Sequence, residues 1–197
     1  NLFAKLEIPD LLEANKTIKK MRDLGVPKEK YSHLLKDYDR KEYDFQLAEA
    51  LRAIELAMSA DKWREAKTIV DKSQKKFSTD AGFNLKSNTV TRIYSGLSSI
   101  TSVLLQPEKL TNPRFQSVAT SLIERLSSDF ALSPTLEDQA RRLQKLVTKY
   151  QSEVEITVLS DGFTFIEVMS IGKVGITVRK VIKLLPGNYI LVGKGPN

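Results

Sequence analysis

The chain has no cysteine, a single histidine, a single tryptophan, and no apolar run near the roughly 18 residues needed to cross a bilayer. Each absence removes a class of function. Without cysteine there are no structural disulfides, thiolate metal sites or thiol nucleophiles, and one histidine cannot build a multi-histidine metal cage. A cysteine-free chain is also compatible with an oxidising compartment. What remains is an ordinary globular composition in 197 residues, 41% apolar and 28% charged, long enough to bury a core. Residue 1 is Asn, and the sequence reads as a piece of a longer polypeptide.

The net charge of +7 invites a nucleic-acid reading, which depends on where the charge lies. Residues 1–80 carry 17 Lys/Arg against 15 Asp/Glu, residues 81–152 carry 9 against 5, and residues 153–197 carry 5 against 4. The excess is thin and spread out. The nearest approaches to a cluster, Lys16 with Lys19, Lys20 and Arg22, and Lys72 with Lys75 and Lys76, have acids within about a turn. A nucleic-acid surface concentrates its cations on one face with aromatics between them. No nucleic-acid partner is expected.

Candidates for chemistry are few. His33 has Asp37 at i+4, a spacing that orients an imidazole on a helix, but no Gly-x-Ser-x-Gly elbow or other activated nucleophile accompanies it. Asp37, Asp39, Glu42 and Asp44 place four acids in eight residues, interleaved with Arg40 and Lys41. They lack the glycine and twelfth-position Glu of a calcium loop, and read as a charged helix junction. Gly172-Lys173-Val174-Gly175 lacks the Gly-Lys-Ser/Thr of a phosphate cradle and does not open a helix. No enzyme activity, metal or cofactor is therefore expected. Trp63, Tyr38 and Tyr43 are the candidate anchors for a protein partner, although aromatics at helical spacing are more often core.

To about Tyr150 the apolar residues recur at helical spacing. Pro9-Asp10 opens a first helix with Leu11, Leu12, Ile18 and Met21 on one side, and Gly25 closes it. A short helix over 28–36, with Tyr31, Leu34 and Leu35 inward, precedes a longer one over 42–60. Asp61 then caps a helix from Trp63 to about Lys76. Three more helices are expected over 83–105, from Asn112-Pro113, and from Ser133-Pro134. Short connections imply antiparallel neighbours in a bundle or irregular array.

After Glu153 the grammar changes. Val154, Ile156 and Val158 alternate with Glu155, Thr157 and Leu159, and turn signals at Ser160-Asp161-Gly162, Gly172, Gly175 and Pro186-Gly187-Asn188 divide the rest into four or five short strands, the last starting at Tyr189. The fold class expected is α+β by segregation: a helical domain over 1–152, then a small antiparallel, sandwich-like β module over 153–197. A sheet that small leans on the helices or on another copy of itself.

Two resemblances follow from these strings. Residues 50–80, ALRAIELAMSADKWREAKTIVDKSQKKFSTD, resemble one tetratricopeptide unit, with small residues between two helices and an aromatic opening the second. No second copy appears at the roughly 34-residue period of such arrays. Residues 182–193, IKLLPGNYILVG, resemble the β-sandwich modules of the PEGA type, in which a strand, a Pro-Gly turn and a Tyr-bearing strand recur. Pro186, Gly187 and Tyr189 carry that motif. Residues 158–164 with 171–175 look like a bacterial envelope variant of the module, associated with a preceding helical segment and a membrane anchor. PEGA-type units commonly continue with a Gly-Tyr pair, where this chain runs Val192-Gly193-Lys194-Gly195-Pro196-Asn197, which leaves the module's completeness open. The resemblance implies a non-catalytic scaffold or interaction region of a membrane-anchored bacterial envelope protein, in the periplasm or cell envelope. Its partner would be a protein or envelope component, and it would meet the membrane only through a segment outside this chain. The alternative is a cytoplasmic peptide-binding adaptor using the helical hairpin.

Overall fold

A computed structural model describes the backbone of residues 8–195. Helices come first and strands last, the segregated α+β order expected. The helices are α1 (Ile8–Asp23), α2 (Ser32–Ser59), α3 (Trp63–Phe77), α4 (Ala81–Leu104), α5 (Pro113–Leu126) and α6 (Pro134–Gln151). The strands are β1 (Val154–Leu159), β2 (Phe165–Val168), β3 (Gly172–Ile176), β4 (Arg179–Leu184) and β5 (Leu191–Lys194). Among the described residues no helix is long and apolar enough to cross a membrane. The chain forms two compact units, residues 1–94 and 95–197, dividing within α4.

In the first unit, Gly25 ends α1 with φ +69°. The two helices expected over 28–36 and 42–60 are a short 3-10 turn, Lys28–Tyr31, followed by one unbroken 28-residue helix. The charged stretch between them contains no glycine or proline, and Asp, Arg, Lys and Glu continue a helix once it is nucleated. Packing selects Ile54, Ala57, Trp63, Ala66, Val70, Phe77, Phe83, Val90 and Ile93 as core. Leu56 and Leu85, apolar at helical spacing, are 61% and 72% exposed. At the α2–α3 turn Asp61 adopts φ +56°, and the cap position is Lys62, without a side-chain capping bond. The Asp61 carboxylate instead accepts the Trp63 indole N–H. Asp80 provides a side-chain cap, its Oδ1 accepting the Phe83 amide at 2.7 Å to start α4.

In the second unit the Asn-Pro and Ser-Pro signals mark helix starts as expected: Asn112 Oδ1 accepts the Arg114 amide at 2.9 Å and buried Ser133 Oγ accepts the Leu136 amide at 3.1 Å. Its buried helical residues include Ile100, Leu110, Leu122, Leu126, Leu136, Leu143 and Val147. The close approach of α4 and α5 depends on Gly96, where an added Cβ would lie 2.8 Å from the Leu126 side chain, itself 4% exposed. Alanine gains about 0.5–1 kcal/mol of helix propensity there but meets an overpacking cost of about 1–3 kcal/mol. Gly96→Ala is therefore expected to lower the thermal midpoint by about 2–4 °C per kcal/mol of net loss. A rise would show that Leu126 swings clear.

The β module is two sheets, β1–β4 and β3–β2–β5, all antiparallel, with a register shift between Ile166 and Glu167. Val158 and Leu184 from the first sheet and Ile166, Val168 and Val174 from the second form a shared core, with Ile182 and Tyr189 packed against it. That is a sandwich built from the period-2 alternation of its strands.

Candidate functional site

The described residues contain no group of three or more His, Cys, Asp and Glu able to hold a metal ion. His33 lies exposed on the first turn of α2. Asp37, Asp39, Glu42 and Asp44 lie along the same continuous helix, where 100° per residue turns them away from a common point. In the most basic stretch of the chain, Arg141 and Arg142 pair with Glu137 and Asp138 one turn back on α6, at 2.6 and 2.8 Å.

The three aromatic anchors have different fates. Trp63 is 2% exposed, its ring in the core and its indole N–H on Asp61. Tyr43, half-buried, meets the edge of Phe77 at 5.3 Å and 73°, and Phe77 in turn lies 5.6 Å from Phe83. This aromatic run ties α2, α3 and the start of α4 together. Tyr38 alone lines a cleft, about 580 Å³ between α1 and α2, beside Ile18, Leu34, Asp37 and Lys41. The structure brings none of the three into one patch.

A second groove, of about 770 Å³, runs between α4 and α5. Ser98 and Ser102 face it from one helix, Ser117 and Ser121 from the other, with Val118 and Arg125. Its sequence signal is two serine pairs at i,i+4 spacing. Arg125 is the charged side chain on its wall, and no titratable base stands beside the hydroxyls.

Most unspent apolar surface lies on the β module. Of the exposed large apolar residues, twelve fall within 154–195 and nine within 11–153, a more than fourfold higher density on the β module, divided between its strands and its turns. Turns hold this surface in shape. Asp161 accepts the Phe163 and Thr164 amides at 2.9 and 2.8 Å and the Thr164 hydroxyl at 2.8 Å. Gly162 beside it has φ +82°, with Val178 3.0 Å from where a Cβ would stand, so both conformation and space call for glycine. The Pro186-Gly187 turn departs from expectation. Gly187 lies outside the positive-φ region, and strand pairing starts at Leu191, leaving Tyr189 before the strand. The Tyr189 ring packs over Gly187 and its hydroxyl donates to the Leu185 carbonyl at 2.7 Å, so the residue clamps the turn rather than pairing in the ladder.

The hydrogen bonds to Asp161, those from the Phe163 and Thr164 amides first, lower its pKa from 3.8 to about 2. A carboxylate depressed in the folded state stabilises the module above its unfolded pKa, and that contribution is lost as pH falls from about 4 through about 2. Asp161→Asn is expected to flatten the pH dependence of module unfolding within this window. Denaturant midpoints at pH 5, 3 and 2 check it, and an unchanged slope would show that the turn does not carry the effect.

No family model, curated protein or solved structure matches this chain.

Proposed function

We propose that this chain is a non-catalytic scaffold or protein-interaction region of a membrane-anchored bacterial envelope protein, its last 45 or so residues forming a PEGA-type module. The observation that carries the reading is the concentration of exposed apolar side chains on a small two-sheet module. A high density of apolar side chains kept in water supports reading the module as a surface that meets something else. The family assignment is supported by the sequence resemblance of residues 182–193. The adaptor reading ranks second. Burial of Ile54, Ala57, Trp63, Ala66 and Val70 consumes the apolar faces of the α2–α3 hairpin within the fold, where a peptide groove would need them open.

Fractionation of cells carrying an epitope-tagged full-length gene product tests the proposal. The expected result is recovery with the envelope and digestion by added protease only after the outer membrane is permeabilised. Recovery in the soluble cytoplasmic fraction would overturn it in favour of the adaptor.

A further inference from the structure

We propose that two copies of this chain pair through β1, joining their β1–β4 sheets into one four-stranded antiparallel sheet. An unpaired strand edge is a row of free N–H and C=O groups, which proteins guard with lysine, proline, glycine or bulges. The module has four such edges, β1 and β4 in one sheet and β3 and β5 in the other. Three are guarded. β4 carries Arg179, Lys180 and Lys183, β3 sets Lys173 between two glycines opposite the register shift, and β5 carries Gly193 and Lys194. β1, Val-Glu-Ile-Thr-Val-Leu, has no cation, glycine, proline or bulge. Its one charge, Glu155, lies 3.6 Å from Lys183; the guarding cations have contacts as well, Lys194 with Glu167 at 3.7 Å and Lys180 Nζ donating to the Val174 carbonyl at 2.5 Å, so what sets β1 apart is that it carries no cation, glycine or bulge.

The face of β1 points to the same conclusion. Val154, Ile156 and Val158 lie on the core side of the sheet, but only Val158 is covered, at 6% exposure, while Ile156 and Val154 stay open at 40% and 49%. A strand added at this edge extends the apolar face only if its own alternation is in phase. A second β1 meets that condition. With Thr157 opposite Thr157 of the second copy, Ile156 faces Val158 and Glu155 faces Leu159. The two Glu155 carboxylates then stand four residues apart along the ladder, roughly 13 Å, beyond the screening length of physiological salt. The threonine pair adds a favourable cross-strand contact. Pairing through β4 would instead bring together two strands carrying three cations each.

One strand pair is small beside a standard interface, so the association is weak and rises with concentration. It names a partner for the interaction surface and in that sense rests on the scaffold reading. A chain that stays monomeric yet fractionates with the envelope would overturn the pairing and leave the scaffold reading standing. Sedimentation equilibrium from about 10 µM to 1 mM is expected to show dimer growing in the wild type and monomer throughout in Thr157→Lys. Val181→Lys, on the same sheet face but on β4, is expected to dimerise like the wild type. Because the chain contains no cysteine, a second variant keeps the test decisive if the lysine disturbs folding. Thr157→Cys places two thiols across the two-fold axis and is expected to give a disulfide-linked dimer under mild oxidation at least tenfold faster than Val181→Cys. A monomeric wild type at 1 mM, equal cross-linking of the two cysteine variants, or dissociation by Val181→Lys but not Thr157→Lys would each overturn the proposal. Monomer that binds an unrelated extended peptide along β1 would overturn it too, by showing a different occupant.

Discussion

Phe83→Ala is expected to destabilise the first helical unit by about 3–5 kcal/mol, the cost of deleting a fully buried aromatic side chain and leaving a cavity that close-packed neighbours fill only in part. Phe83 is 0% exposed and its ring lies 5.6 Å from Phe77, which touches Tyr43 in turn. One substitution thus loosens the aromatic run that joins α2, α3 and α4. Set against a typical total of about 5–15 kcal/mol, the loss leaves the unit close to unfolding. Urea denaturation followed by helical circular dichroism measures it. Phe115→Ala supplies the comparison: with that ring 44% exposed, the same chemical deletion is expected to cost less than about 1 kcal/mol. Equal midpoints for the two variants would mean that the aromatic run is not a principal support of the fold.

Val168→Asp is expected to unfold the β module and leave the helices folded. The module core has five buried residues, and Val168 is 2% exposed among them. An unpaired carboxylate at that position costs several kcal/mol or forces the group to protonate. So small a sandwich has little stability to lose. The core cluster contains no helical residue, which is why the helical signal is expected to persist. Amide NMR reads the two parts separately: loss of dispersed strand resonances with retained helical ones is the expected spectrum. Strand resonances that survive at neutral pH would show that the core relaxes around the charge. Val178→Asp, at a side chain 67% exposed, is expected to leave the spectrum folded.

Local chemistry was readable in the residues themselves. Pro113 and Pro134 stand at first helical positions behind a capping Asn and Ser because a missing N–H and a preset φ fit there and almost nowhere else in a helix. The change to strands after Gln151 is visible as a change of period, from 3.6 to 2. The misreadings have a common physical origin. A polar stretch without breakers, such as 37–44, does not announce whether the helices on either side are joined, and tertiary packing continued it as one helix. The Tyr189 strand was expected two residues early because a Pro-Gly turn followed by β-formers gives no sign that the tyrosine folds back onto the turn. Asp61 does not cap α3, while Asp80 caps the next helix, α4, and the signal for it was present, an Asp three residues before Phe83 at the start of an apolar period.

The candidate interaction residues were less legible. Trp63, Tyr38 and Tyr43 share a residue class but not a place: the first is core, the third half-buried against Phe77, and only Tyr38 reaches a cleft. Periodicity states which side chains share a face of one element and is silent on whether another element covers that face. Val118 and Leu122, four residues apart on the same side of α5, are 63% and 8% exposed, because burial depends on which element covers a side chain and not on the residue.

By itself the sequence determined the order of elements, their caps and turns, and the chemistry the chain does not contain, since all of these depend on backbone sterics and on residue type within a turn or two. Only the tertiary structure decided which apolar residues became core, that the exposed apolar side chains concentrate on the β module, and that β1 is a strand edge without cation, glycine, proline or bulge among the described residues. Those properties arise between segments distant in the chain, where pairing and packing, rather than local preference, determine what remains in contact with water.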